Sequence, residues 1–137
     1  MKYFVKYLIL LVIGGTAYYG IEIVARGFSH WTMFLVGGIC FVLVGIINEI
    51  TPKIPLLQQM VLSAAVITAI EFVSGCILNI WLGLNIWDYS DEVGNVLGQI
   101  CPGHTLYWFL LSLVGIVLDD YIRHYFFGEE KPSYRFV

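Results

Sequence analysis

Glu71 stands inside the apolar run MVLSAAVITAIEFVSGCILNIWLG, which holds no other charged residue. A carboxyl near the middle of a membrane-crossing helix costs roughly 3 kcal/mol on insertion scales, so its presence points to a partner, a solute, a proton or an ion. Gly75 and Asn79 follow Glu71 at i+4 and i+8, which places the three on one helical stripe. That stripe is polar with a hollow at its glycine, and a polar stripe is expected to face the protein interior. The plainer alternative is a carboxyl that bonds a neighbouring helix and aids assembly.

A second candidate is GIEIVARGFSHW, where Glu22 and Arg26 share a face at i, i+4 and His30 follows close behind. It reads equally well as a salt bridge at a helix end and as half of a binding site. A third is the segment NIWDYSDEVGNVLGQICPG. Asp88 and Ser90 suit turn capping, and Asn95 and Gln99 share a face if the segment is helical. With Trp87 and Tyr89, these groups suit a cation or a polar headgroup. Asn48 with Glu49, and Asp119 and Asp120 with Arg123, lie near the opposite interface; they are read as solvated, with an inner gate as the alternative.

The elements that position these residues follow from composition. The chain has 137 residues, 59% hydrophobic and 12% charged, and a mean hydropathy of +0.83. Soluble domains carry about 25% charged residues. The expectation is an all-α integral membrane protein, one transmembrane domain over 1–137, with four spans at about 3–25, 32–50, 57–83 and 104–126. The first span is read as a retained helix, because no small-x-small cleavage pattern follows it. A longer loop, 84–103, joins spans three and four.

With the N-terminus inside, the inner segments hold Lys2, Lys6, Lys53, Arg123, Lys131 and Arg135, and the outer ones hold Arg26 alone, which accounts for all 7 basic residues. This asymmetry predicts an N-in, C-in four-helix bundle. Trp31, Trp81, Trp87, Trp108, Tyr18, Tyr19, Tyr89 and Tyr107 then gather toward the outer face, at headgroup level. Gly14 with Gly15, Gly37 with Gly38, Gly45, Ala64 with Ala65, and Gly75 allow close helix contact, read first as ordinary packing.

A net charge of −3 and the lack of a basic run argue against nucleic acid as a partner. Cys40, Cys76 and Cys101 are odd in number and include no CxxC, so neither a disulfide framework nor a structural zinc is expected. Walker A, GxSxG and HExxH motifs and a calcium loop are absent from the sequence. No cofactor and no metal are expected.

GIEIVARGFSHW, NEITPK, Glu71 followed by Phe72, and WDYS…N…GQIC together resemble the ABC-transporter type IV family, the CmpB-like permeases, which are small bacterial membrane proteins. The resemblance covers most of the chain, and WDYS…GQIC is its most specific part. Cys101-Pro102-Gly103-His104 departs from the apolar residues expected there. The resemblance implies transport in the cell membrane.

The expected function is a permease-like transport component that binds a small polar or cationic solute at an intramembrane acidic site. Its ligand-binding candidates are Glu22, Arg26, His30, Glu71, Asn79, Trp87, Asp88, Tyr89, Asn95 and Gln99. Membrane lipids, a second copy and a larger transport partner are the expected partners. The alternatives are a membrane-embedded enzyme acting on a lipid or isoprenoid headgroup, with Glu22, Glu71 and His30 as acid/base groups, and a non-catalytic assembly or regulatory subunit.

Overall fold

A computed structural model describes residues 2–27, 29–50, 54–129 and Tyr134. Among the expectations above, those resting on residues 51–53, Lys131 and Arg135, and on the side chains of Lys2 and Asn48, fall outside the described residues.

The described residues form four helices, α1 (Lys2–Arg26), α2 (Trp31–Ile50), α3 (Leu56–Gly75) and α4 (Pro102–Phe127), with a π-helical turn, Cys76–Trp81, extending α3. Their regular hydrogen-bonding is confined to helices, apart from one isolated bridge between Val96 and Ile100. Three stretches are long and apolar enough to cross a membrane: Phe4–Arg26, Leu56–Trp81 and Pro102–Phe127. The apolar part of α2, Trp31–Ile47, is shorter. Large apolar side chains point outward along these helices, among them Phe4, Val24, Val73, Leu110 and Val114. In water they would be a liability; against hydrocarbon they are the expected exterior.

Local chemistry sets the helix ends. Gly27, at φ 83°, closes α1 in a left-handed conformation that a side chain would strain. Pro55 precedes α3. Pro102 opens α4 at its first position, where its missing N–H costs no hydrogen bond. The CPGH departure is therefore compatible with a regular helix start.

α1 and α2 approach closely through glycines. A Cβ on Gly14 would run into Phe41, one on Gly15 into the Phe34 carbonyl, one on Gly37 into Tyr18, and one on Gly38 into the Leu11 carbonyl. Small residues at matched heights let two backbones nearly touch, which supplies dispersion contact where lipid gives little hydrophobic drive. Elsewhere α4 packs along α3, and α2 reaches both. Val44, Leu56, Met60 and Ile116 form the buried core between these three. Leu10, Phe41 and Ile122 tie α1 to α2 and α4 near the end that carries Lys6 and Arg123.

That end is held by charge. Lys6 pairs with Glu49 (3.3 Å) and Glu129 (2.6 Å). Arg123 pairs with Glu49 (2.8 Å), Asp119 (2.7 Å) and Asp120 (2.9 Å). The solvated reading of the α4 residues is corrected: Asp119 is 0% exposed, Arg123 4% and Asp120 6%. The reason is packing. Gly45 on α2 leaves a notch that the Asp119 carboxyl fills, and a Cβ there would come within 2.5 Å of its oxygens.

Candidate functional site: a polar chamber under the α3–α4 loop

At the other end of the helices, the segment between α3 and α4 folds back onto them. The π-helical turn widens the end of α3; Leu82 N–H reaches the Ile77 carbonyl and Leu84 N–H the Leu78 carbonyl. Such wide turns recur at functional sites. Gly83, at φ 68°, then reverses the chain.

The returning segment is anchored by side chains from the Glu71–Gly75–Asn79 stripe. Asn79 donates from Nδ2 to Gln99 Oε1 (2.8 Å) and accepts at Oδ1 from Ile86 N–H (2.6 Å). Trp87 Nε1 donates to the Gln99 carbonyl (3.1 Å). Ile86, Trp87 and Gln99 are buried. The hollow at Gly75 is therefore filled by the protein itself. A Cβ at Gly75 would meet Gln99 Oε1 at 2.5 Å and Trp87 at 3.0 Å.

Glu71 is buried where α3, α4 and the segment converge. Tyr89 Oη donates to Glu71 Oε2 (3.0 Å) and Trp108 Nε1 donates to Glu71 Oε1 (3.1 Å). Both oxygens accept, and both donors are neutral aromatics. Tyr89 also stacks on His104, with ring centroids 4.1 Å apart. Burial, followed by the nearby Glu71 charge, pushes the Tyr89 hydroxyl above its ordinary range, so it stays a donor. On α1, Glu22 is 5% exposed and accepts from Arg26 Nη1 (2.9 Å). Arg26 Nη2 donates to the Ile86 carbonyl (2.9 Å), so α1 also clasps the folded-back segment.

These groups surround a chamber of about 420 Å³. Its wall includes Glu22, Arg26, Glu71, Trp87 and Tyr89, five of the ten residues singled out from sequence. The other five are placed elsewhere. Asn79 and Gln99 anchor the segment, as above. Asp88 is exposed and accepts from the Ser90 amide (2.9 Å), which holds its carboxyl below the usual range. Asn95 bonds within the segment, donating to the Ser90 and Glu92 carbonyls. His30 sits beside Thr32 (Nδ1 to Oγ1, 2.7 Å) before α2 and off the chamber wall. The histidine on the wall is His104, joined there by Glu92 and Tyr107. Its signal was its place in the first turn of α4, directly after the segment richest in polar groups.

Residues 3–131 match the model of the family described as putative ABC-transporter type IV. The chain belongs to that family. No curated protein and no solved structure matches it. In this ABC-transporter type IV chain, the chamber brings ionisable groups, aromatic faces and open volume together. Among the described residues, no three His, Cys, Asp or Glu side chains are grouped so as to hold a metal ion. The chamber offers hydrogen-bond acceptors, aromatic faces and a buried carboxyl.

Proposed function

We propose that the chain is a permease-like component of a membrane transport system, which binds a small polar or cationic solute at an intramembrane acidic site built on Glu22 and Glu71. In this reading the whole chain is a single transmembrane domain of four spans in a bacterial inner membrane. Both termini are cytoplasmic and the chamber opens outward. The family supports the transport role. The basic-residue asymmetry supports the orientation. A second copy or a larger transport partner completes the pathway.

One observation carries the binding reading: Glu71 reaches the wall of an open chamber with both of its described hydrogen bonds coming from neutral donors. A carboxyl held only for assembly would be expected against a neighbouring cation or sealed in a core.

The test is native mass spectrometry of protein released from nanodiscs, wild type beside Glu71→Gln. The expected result is a reproducible small-molecule adduct on the wild type that the variant loses. Matching spectra without an adduct would leave Glu71 as a packing residue and overturn the reading.

A further inference from the structure

Below the polar chamber lies a second cavity, of about 140 Å³. The two adjoin across Tyr18, Ile21, Met33, Glu71, Trp87 and Trp108, which line both. The character changes sharply across that boundary. The lower cavity continues past Ala17 on α1, Gly37 on α2, and Leu111, Gly115 and Leu118 on α4. Apart from Glu71 at its head, its polar side chains are few. The Ser112 hydroxyl already donates to the Phe109 carbonyl (2.7 Å). A water needs two to four polar partners, so this space suits hydrocarbon and not solvent.

The lower cavity also opens sideways. Val114 and Leu118 line it while 59% and 38% exposed, and Ile21 across from them is 37% exposed. A ligand can therefore enter from the leaflet between α1 and α4.

The upper chamber selects by charge. Its wall carries Glu22, Glu71 and Glu92 against Arg26, whose guanidinium is committed to Glu22 and the Ile86 carbonyl. Tyr18, Trp87, Tyr89, Tyr107 and Trp108 present rings to the same space. Carboxylates among aromatic faces are the chemistry that recognises alkylammonium groups, through charge and cation–π attraction.

We propose that the occupant is a cationic amphiphile, a single-chain alkylammonium whose head sits in the polar chamber beside Glu71 and whose chain runs down the apolar cavity between α1 and α4. This rests on the reading of the chamber as a ligand site and adds the ligand's class and its route of entry. A fully hydrated solute would leave the lower cavity unfilled. A bare hydrocarbon chain would leave the acidic head chamber without a counter-charge.

Gly115 supplies the test, because a Cβ there would meet nothing within 4 Å. Gly115→Leu fills the chain cavity and leaves the head chamber untouched. The full chain in phosphatidylglycerol nanodiscs is dialysed against radiolabelled tetramethylammonium, which is then displaced with decyltrimethylammonium. Wild type and variant sit in the same bilayer, so partitioning of the displacer cancels. In the wild type the label binds, and Glu71→Gln releases it. In Gly115→Leu the label binds as before, while the displacer is weakened about tenfold, the equivalent of about 1.4 kcal/mol.

An unchanged displacement concentration in Gly115→Leu would overturn the amphiphile and leave the head site standing. Absence of label binding in both wild type and Gly115→Leu would overturn the site reading and the amphiphile together. Adding phosphatidylethanolamine to the nanodiscs separates two sources of the same chemistry. Loss of the label would assign the site to a two-chain bilayer lipid's ammonium head and overturn the single-chain amphiphile, whereas retention supports it.

Discussion

Glu71 and Asp119 are both carboxyls buried in apolar helices of this protein, and their surroundings differ in kind. Asp119, near the charged end, meets Arg123 at 2.7 Å and fills the notch at Gly45. Arg123 in turn joins Asp120, Glu49 and Glu129, and Tyr134 donates to Asp120. Neither cavity reaches Asp119. Glu71 meets Tyr89 and Trp108, both neutral, and lines both cavities. Burial of charge alone does not separate a structural group from a candidate binding group. What separates them is whether the protein supplies the counter-charge itself.

The largest effect should come from breaking the self-sufficient network. Arg123→Met leaves Asp119 and Asp120 buried without their cation, and removing one partner of a buried pair costs about 3–5 kcal/mol. Unfolding of the purified protein in mixed micelles would read this. Glu71→Gln keeps an acceptor for one of its two donors and should cost about 1 kcal/mol. Equal losses in the two variants would break the distinction, because Glu71 would then be as structural as Arg123.

A second prediction concerns what the folded-back segment does for the site. Gly75→Ala forces a methyl against Gln99 and Trp87 and should destabilise docking by about 1–3 kcal/mol. Proteolysis within residues 84–101 should accelerate, and Trp87 emission should shift to the red as the ring meets water. Arg123→Met, by contrast, should leave Trp87 emission unchanged in whatever fraction remains folded. A Trp87 shift in Arg123→Met would mean that the two ends are coupled and do not act as separate polar regions.

The sequence revealed local features better than long-range ones. Spans expected at 3–25, 57–83 and 104–126 correspond to Lys2–Arg26, Leu56–Trp81 and Pro102–Phe127, because unbroken apolar runs and Gly or Pro punctuation encode helix ends directly. The Glu22–Arg26 pair follows from the i, i+4 rule and is present. The stripe from Glu71 to Asn79 does face one structure, but its hollow is occupied by Trp87 and Gln99, residues 12 and 24 positions further on than Gly75 by their numbering. No helical periodicity encodes that return. The burial of Asp119 is hidden from the sequence for a related reason. Distance along a helix gives depth toward the interface, whereas burial depends on which neighbour offers a notch, and Gly45 is more than 70 positions away in sequence. His30 lies off the chamber wall and His104 on it, because proximity in sequence to Glu22 is a poorer guide than proximity to Glu71 in space.

The smallest effect expected tests whether the docked segment is sensitive to the bond at Glu71. Tyr89 keeps its proton more firmly when docked, through burial and then through the adjacent Glu71 charge. In an undocked segment an ordinary tyrosine ionises near pH 10. A hydroxyl whose acidity is suppressed in the folded state contributes its full stabilisation below that pH and loses it as the pH rises. Docking should therefore hold constant through neutral and mildly alkaline pH and weaken above about pH 10. Tyr89→Phe should start less firmly docked by about 1 kcal/mol for the lost hydrogen bond and show a shallower decline. The readout is Trp87 emission followed from about pH 8 to about pH 11, wild type beside variant, with tyrosinate absorbance recorded in parallel. Parallel curves for the two proteins would show that Tyr89 does not sense its setting. The Glu71 end would then differ from the Arg123 end in its cavity alone, and not in the way its segment is held.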